Sequence, residues 1–179
     1  MKPSRSRAFV VFLEWNFMRI RKVVATDIEL LCPVFVDMER HYEGAGAIGE
    51  AAVRTRLGRF LHSSHGIMLV AADDGALGIL SMFEMFPGVA LRPVWFMKEL
   101  YVAEWARGRG VGEALIREAA KIVVEQGGSR LDFTTGRDNS GAQRFYNRVG
   151  ANEVECVFLR FDETALARLA EQETELLPE

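Results

Sequence analysis

A short turn rich in glycine and arginine contains the residues of this chain that are best suited to bind an anion. It reads Arg107-Gly108-Arg109-Gly110-Val111-Gly112 and lies between a strand-like run and a helical run. The first amides of a helix have no partner within the helix and carry a partial positive charge. Glycines let the backbone close around an anion. The turn is therefore predicted to bind a pyrophosphate, with added charge from Arg107 and Arg109.

Two common phosphate motifs do not fit this turn. Its glycine spacing differs from the Gly-x-Gly-x-x-Gly of dinucleotide-binding folds, and no Lys-Ser or Lys-Thr pair follows it as in a P-loop. On these residues alone, a tight turn without a ligand is the alternative interpretation.

A second segment further along the chain combines an amide side chain with two aromatic ones. Asn139 lies where a strand-like run gives way to a helical run, and Phe145 and Tyr146 follow on the apolar face of that helix. Asn139 can cap the helix or bond to an amide-rich ligand. On these residues alone, Tyr146 is interpreted as a packing residue with a satisfied hydroxyl.

Together the two segments resemble the GNAT superfamily of N-acetyltransferases. The first follows a Leu-Tyr-Val strand with the pattern Arg-x-x-Gly-x-Gly, and residues 139–151 read Asn-x-x-Ala-x-x-Phe-Tyr-x-x-x-Gly-Ala. The resemblance covers about residues 18–161. It implies an α/β GNAT fold with a mixed, mostly antiparallel central sheet that is splayed at the acetyl-CoA cleft and has helices on both faces. It also implies an enzyme that uses acetyl-CoA as co-substrate and no metal.

The resemblance assigns a role to each matching residue. The strand that ends at Val102 offers its backbone to the pantetheine amides, and the glycine turn wraps the pyrophosphate. Asn139 bonds the pantetheine arm, and Tyr146 protonates the leaving thiolate, because a neutral phenol stabilises negative charge that develops on sulfur. The implied cofactor contacts are Leu100, Tyr101, Val102, Arg107, Gly108, Arg109, Gly110, Val111, Gly112, Asn139, Ala142 and Phe145.

The acceptor amine needs a base, because only about one alkylamine in a thousand is neutral at pH 7. Residues 95–102 resemble the polyamine and thialysine acetyltransferase branch, which has two adjacent acids where this chain has Lys98-Glu99. Glu99 keeps one acid, and Lys98 replaces the acid usually assigned as base. Strand alternation predicts that Lys98 and Glu99 point to opposite faces. The base therefore stays open between Glu99 and Glu84.

Acidic residues in three segments suggest a cationic acceptor. Tyr42 and Glu43 lie where the substrate loop of the family runs, and Glu43, Glu84 and Glu99 are predicted to form an acidic mouth. Glu84 is alternatively a solvated carboxylate on an edge strand. We expect transfer to a primary amine of a small cationic metabolite (a polyamine, an amino acid or a lysine-like molecule) by direct attack in a ternary complex. The alternatives are a protein or peptide N-acetyltransferase and a non-catalytic acyl-CoA-binding module.

Hydrophobic periodicity predicts the elements that must position these residues, in the order β-α-α-β-β-β-α-β-α-β. Thr26 and Glu29 fit a capping box at the start of the first helix, and Asp73-Asp74-Gly75 fits a hairpin turn. The predicted strands are residues 19–25, 67–72, 76–86, 95–102, 131–135 and 154–161. The predicted helices begin near residues 26, 53, 111 and 142, and a helical tail covers residues 163–176.

The chain is predicted to form one domain of 18–161, after an extension of 1–17 and before a tail of 162–179. Of its 179 residues, 49% are hydrophobic and 26% are charged, and the net charge of -3 gives no basic face for nucleic acid. With no membrane span and two scattered cysteines, Cys32 and Cys156, we expect a cytoplasmic protein with free thiols. The resemblance implies a homodimer, to which residues 154–176 could contribute.

Two further groups have open interpretations. The pair His62 and His65 either ligates a metal or belongs to a polar loop. Arg54, Arg56 and Arg59 form either a solvated helix face or a contact to cofactor phosphate or a partner.

Overall fold

A computed structural model of the chain describes residues 18–62 and 66–171. These residues fall into two compact units, the first ending at Gly136 and the second beginning at Arg137. The predicted extension of residues 1–17, the end of the tail at 172–179 and His65 lie outside the described residues. The domain boundaries at 18 and 161 stay predictions.

The first unit is built on a five-stranded sheet whose strands follow one another in chain order. Neighbouring strands are antiparallel from β1 to β4, and β4 and β5 are parallel, so the predicted mixed, mostly antiparallel sheet is confirmed. The strands are β1 (Arg19–Lys22), β2 (Ile67–Ala72), β3 (Ala76–Met85), β4 (Val94–Val102) and β5 (Leu131–Asp132). The helices of this unit are α1 (Ile28–Glu43), α2 (Glu50–Leu61) and α3 (Val111–Glu125).

The sheet has helices on both faces, because alternate side chains of β3 and β4 meet different helices. The Tyr101 hydroxyl bonds Asp37 of α1. On the opposite face, Gly78 lies beneath α3: a Cβ added there would be 3.2 Å from Cγ1 of Val111. Apolar burial on both faces stabilises the sheet. The largest fully buried side chains among the described residues include Leu31 of α1, Leu115 of α3 and, on the strands, Leu69, Ile79, Leu80 and Met82.

The predicted capping box at Thr26 and Glu29 is wrong, and Asp27 controls the approach to α1 instead. A single 3-10 turn, Ala25–Asp27, precedes the helix. The Asp27 carboxylate accepts the backbone N–H of Val24 at 2.8 Å and the Arg21 guanidinium at 2.6 and 2.7 Å. The hydrogen bond from Arg21 lowers the pKa of the Asp27 carboxyl. The ion pair with β1 therefore fixes the start of the helix.

The ladder between β3 and β4 contains a β-bulge beside the predicted acceptor site. Ser81 pairs with Glu99 and Met82 pairs with Met97, so Lys98 is an extra residue. The expectation that Lys98 and Glu99 point to opposite faces is wrong, because a bulge interrupts the alternation of side chains. Lys98 and Ser81 line one groove beneath α1 and α2, and Glu99 shares the face of its partner Ser81.

The strands β4 and β5 diverge after a short contact. In the described part of the chain their ladder consists of two pairs, Trp95 with Leu131 and Phe96 with Asp132. The strand predicted for residues 131–135 therefore ends at Asp132, while β4 continues to Val102. This is the splay expected of the fold.

The second unit contains α4 (Ser140–Arg148) and α5 (Glu163–Glu171), which confirms both predicted helices within the described residues. The strand predicted for residues 154–161 is wrong, since this segment is neither helix nor strand. Its apolar side chains are solvent-exposed. Apolar composition favours a strand only where a neighbouring strand completes the ladder, and the described part of this unit provides none.

Two whole-chain expectations can be compared with the described residues. None of the helices among them combines the length and apolarity that a bilayer crossing requires. Cys32 is buried in α1 and Cys156 is exposed, and both are free thiols.

Candidate active site

The glycine turn connects β4 to α3 and has the backbone conformation of an anion site. Gly108 and Gly110 both have φ of 77°. This left-handed conformation costs residues with a Cβ about 1–2 kcal/mol, so the turn requires glycine. The first helical hydrogen bond of α3 runs from the Ala114 amide to the Gly110 carbonyl. The amides of residues 111–113 precede it and are the unpaired donors of a helix N-terminus.

The two arginines of the turn have protein partners. Arg107 Nε donates to the Val102 carbonyl at 3.2 Å, and its guanidinium lies 5.9 Å from the centre of the Tyr101 ring. Arg109 Nη2 bonds Asp73 Oδ2 of the β2–β3 hairpin at 2.8 Å. Both side chains therefore tie the turn to the sheet, Arg107 at β4 and Arg109 at the β2–β3 hairpin.

Two independent features of this part of the chain are suited to acetyl-CoA. The α3 N-terminus suits the pyrophosphate, because its amides and dipole favour negative charge. From Met97 to Val102, β4 extends beyond its short ladder with β5, where its backbone can pair with the pantetheine amides. These residues include the predicted cofactor contacts Leu100, Tyr101 and Val102.

In the second unit, Asn139 and the aromatic pair belong to α4. Asn139 Oδ1 accepts the Ala142 amide at 3.0 Å, so this side chain is the N-cap of the helix. The rings of Phe145 and Tyr146 are 5.2 Å apart, and both side chains are half-buried. The roles of Asn139, Ala142, Phe145 and Tyr146 toward CoA stay predictions.

The predicted acceptor residues Tyr42 and Glu99 are brought together across the sheet face. Tyr42 is near the end of α1, and its hydroxyl donates to Glu99 Oε1 at 2.8 Å. Glu99 is half-buried, and Tyr42 is 55% exposed. The pair thus combines a positioned carboxylate with an open approach from solvent.

A part-buried hydrogen bond fixes α1 against β4 beside this pair. The Tyr101 hydroxyl donates to Asp37 Oδ2 at 2.7 Å, and the same oxygen accepts the Glu104 amide at 3.1 Å. Burial raises the pKa of Tyr101, and the bond to Asp37 raises it further. The His41 ring packs against both tyrosines, 5.2 Å from Tyr42 and 5.8 Å from Tyr101, and the two tyrosine rings are 6.2 Å apart.

A groove of about 300 Å³ lies between α1, α2 and the strands. Its volume is at the lower end of the range for small-molecule pockets, about 300–1,000 Å³. Most of its lining is apolar, and Ser81 and Lys98 line it at the level of the bulge. Glu39 of α1 and Arg56 of α2 contribute its other charges.

The remaining predicted residues lie elsewhere or serve the scaffold. Glu84 pairs with Trp95, on the sheet face that packs against α3, so it is not brought to Glu99. Glu43 ends α1 with an exposed side chain. Arg54 bonds Glu29 and Glu50 and joins α2 to α1. His62 Nδ1 is 2.7 Å from the Gly58 carbonyl at the end of α2.

Sequence reasoning missed Asp37, His41 and Ser81. Asp37 and His41 are one turn apart on α1, so a polar i, i+4 pair just before Tyr42 was the signal that could have found them. Ser81 carried no signal, since only its pairing with Glu99 places it at the site.

Comparison with known proteins agrees with this geometry. Residues 34–151 match the sequence profile of the Acetyltransferase (GNAT) family. YhfO of Bacillus subtilis, an uncharacterised N-acetyltransferase, is 24% identical over 139 residues, covering 76% of this chain and 91% of YhfO. An integron cassette protein from the mobile metagenome of V. cholerae has a TM-score of 0.83 at 30% identity, covering 87% of this chain and 98% of its own.

The same fold occurs in an aminoglycoside N-acetyltransferase solved in complex with CoA. The TM-score is 0.65 at 22% identity, with 82% of this chain and 95% of that chain covered, a similarity that concerns the fold alone. The fold, the glycine turn and the related sequences define an acetyl-CoA-dependent N-acetyltransferase. The chain belongs to the GNAT family.

Proposed function

We propose that this enzyme acetylates the primary amine of a small cationic metabolite, such as a polyamine, an amino acid or a lysine-like molecule, by direct attack in a ternary complex. One observation carries the proposal. Glu99 is held by Tyr42 at 2.8 Å, in the part of β4 that extends beyond its ladder with β5. A carboxylate at this position is next to the strand edge that suits the pantetheine arm.

Glu99 has two tasks in this proposal. Its carboxylate attracts the ammonium form of the acceptor and then takes a proton, directly or through a water molecule, so that the amine can attack. The Tyr42 hydroxyl holds the carboxylate in one orientation. We assign the base to Glu99 rather than Glu84, because Glu84 is on the other face of the sheet. Glu43 directly follows Tyr42 and is kept as a substrate-binding candidate.

The leaving group requires a proton donor. The amine nitrogen forms a bond to the thioester carbonyl carbon, the carbon–sulfur bond breaks, and the thiolate takes a proton. We assign this proton to Tyr146 by its match to the family motif, with Asn139 bonding the pantetheine arm.

The test is thiol release from acetyl-CoA over a panel of polyamines, aminoglycosides, free amino acids and peptides. Glu99→Gln is expected to lower kcat/KM for the active amine by about 10²–10⁴, the range for loss of an acid–base group. Glu84→Gln is the matched control and is expected to leave kcat/KM for the active amine unchanged. Tyr146→Phe should lower kcat in the same range. Turnover of peptides alone, or acetyl-CoA binding without turnover of any amine, would overturn the proposal.

We also propose that the enzyme is a homodimer, as the family resemblance implies. Within residues 154–161, Val157, Phe158 and Leu159 are 82%, 64% and 83% exposed. Contiguous exposed apolar side chains mark protein interfaces. Light scattering after gel filtration should give twice the monomer mass, and Val157→Glu should lower it. A wild-type monomer at every concentration refutes the dimer.

A further inference from the structure

The β-bulge places two opposite charges next to each other on one sheet face. In a regular strand, Lys98 and Glu99 would point to opposite sides. Here Lys98 lines the groove beneath α1 and α2, and Glu99 is on the same face, bonded to Tyr42 of α1. A neighbouring cation and anion are complementary to a zwitterion whose ammonium and carboxylate are close together, as on the α-carbon of an amino acid.

The groove that adjoins these charges suits an apolar group. It reaches the bulge, since Ser81 is the ladder partner of Glu99 and also part of its wall. Its volume is about 300 Å³. Apolar residues from both helices and from β3 line it, namely Phe35, Val53, Leu57, Phe60 and Phe83.

We infer that the acceptor is a free α-amino acid with an apolar side chain, an inference that rests on the proposed function and specifies its substrate. The α-amine contacts Glu99, the α-carboxylate contacts Lys98, and the side chain lies in the groove. The α-nitrogen bonds to the acetyl carbonyl carbon as the carbon–sulfur bond breaks. The proton from nitrogen passes to Glu99 or its water, CoA leaves as the thiol, and the product is an N-acetyl amino acid.

An amino-acid site would differ in kcat/KM between amines that a merely acidic site would turn over at similar rates. An amino-acid amide cannot pair with the Lys98 ammonium, and a charge-assisted hydrogen bond corresponds to about tenfold to hundredfold in kcat/KM. Glycine cannot fill the groove, and burial of a leucine side chain corresponds to about tenfold or more. A diamine would bring a second ammonium toward Lys98, where like charges repel.

The experiment compares kcat/KM for leucine, leucinamide, isoamylamine, glycine and putrescine by thiol release from acetyl-CoA. Wild type should prefer leucine to each of the others by about tenfold or more. Lys98→Met keeps the aliphatic stem and should lower kcat/KM for leucine, so that leucine comes within about twofold of leucinamide. Lys98→Arg should restore the preference. Lys121→Met, which removes an exposed lysine paired with Glu118 on α3, is the control and should match wild type.

The outcomes separate this inference from the proposed function. Equal rates for leucine and leucinamide in wild type, or a preference for putrescine, would refute the amino-acid assignment while the small-amine function stands. No turnover of any small amine would refute both. Loss of the preference in Arg56→Met but not in Lys98→Met would refute the role of Lys98, because Arg56 is the other cation of the groove. If Lys98→Met does not fold, the wild-type comparison alone decides.

Discussion

Replacing Tyr101 with phenylalanine directly tests how α1 is fixed to β4. Tyr101 is 3% exposed, and its hydroxyl donates to Asp37 at 2.7 Å. The same carboxylate oxygen accepts the Glu104 amide at 3.1 Å, just after β4 and before the glycine turn. Tyr101→Phe removes one of these two bonds and leaves the volume of the ring in place.

The expected loss of stability follows from the type of bond. A hydrogen bond to a charged group contributes about 1.5–3 kcal/mol to the free energy of unfolding. We expect the lower half of this range, because Asp37 is half-buried and water can replace the phenol. At this chain length, 1 kcal/mol changes Tm by about 2–4 °C, so Tyr101→Phe should lower Tm by about 3–9 °C.

Tyr42→Phe is the matched control, because it also removes a phenol bond to a carboxylate, here with 55% of the residue exposed. It should cost less than about 1 kcal/mol of stability and should mainly raise KM for the amine. Thermal scans and separate KM values for the amine and acetyl-CoA provide the readout. The reasoning is refuted if Tyr101→Phe leaves Tm unchanged, or if Tyr42→Phe lowers it as much.

The pH dependence of stability in wild type and Tyr101→Phe tests whether the phenol hydroxyl is responsible for the difference. The pKa of Tyr101 is raised in the folded state, chiefly by burial. Above pH of about 10, tyrosine in the unfolded chain loses its proton while the folded one keeps it, so the contribution of Tyr101 falls as pH rises. The stability difference between wild type and Tyr101→Phe should therefore be constant below pH of about 10 and shrink above it.

Three further predictions concern the scaffold. Gly110→Ala forces a residue with a Cβ to φ of 77° and should cost about 1–2 kcal/mol of stability. It should also raise KM for acetyl-CoA more than KM for the amine; the same fold increase in both KM values would contradict the prediction. Gly78→Ala puts a Cβ 2.7 Å from the Tyr101 carbonyl and should lower Tm by several degrees, at about 1–3 kcal/mol; an unchanged Tm would mean that β4 yields freely. Asp27→Asn weakens the bond to Arg21 and should cost about 1–2 kcal/mol at neutral pH. Because the pKa of Asp27 is lowered in the folded state, this cost should begin to shrink as pH falls below about 4 and disappear only below the folded-state pKa, which urea unfolding over a series of pH values can check.

Features encoded by neighbouring residues could be predicted from the sequence. The hairpin at Asp73-Asp74-Gly75 joins β2 to β3 as expected, since the turn residues suffice to define it. The start of α3 after Gly110 follows in the same way from the glycines of the turn. The choice between Thr26 and Asp27 could not be made locally, because Arg21 on β1 decides it.

Long-range pairing accounts for what the sequence did not reveal. The bulge at Lys98 exists because Ser81 and Met82 on another strand set the register, and no pattern within β4 indicates it. The segment 154–161 has a strand-like composition, but composition does not specify a partner. In sequence, Asp37 and His41 are typical of a solvated helix face. Only the packing of α1 against β4 shows that they lie near the proposed acceptor site.

The bulge also separates the pairing of β4 with β3 from the choice of the charged side chain that β4 presents. Without Lys98, Met97 and Glu99 would be consecutive residues opposite Met82 and Ser81, and the ladder would be regular. Position 98 is therefore an insertion that the sheet does not need for its pairing. Substitution there can alter the charge at the proposed acceptor site while the core contacts of β4 stay the same. Deletion would leave Glu99 as the only charge at this level of the strand, so one codon separates a site with two opposite charges from an anionic one.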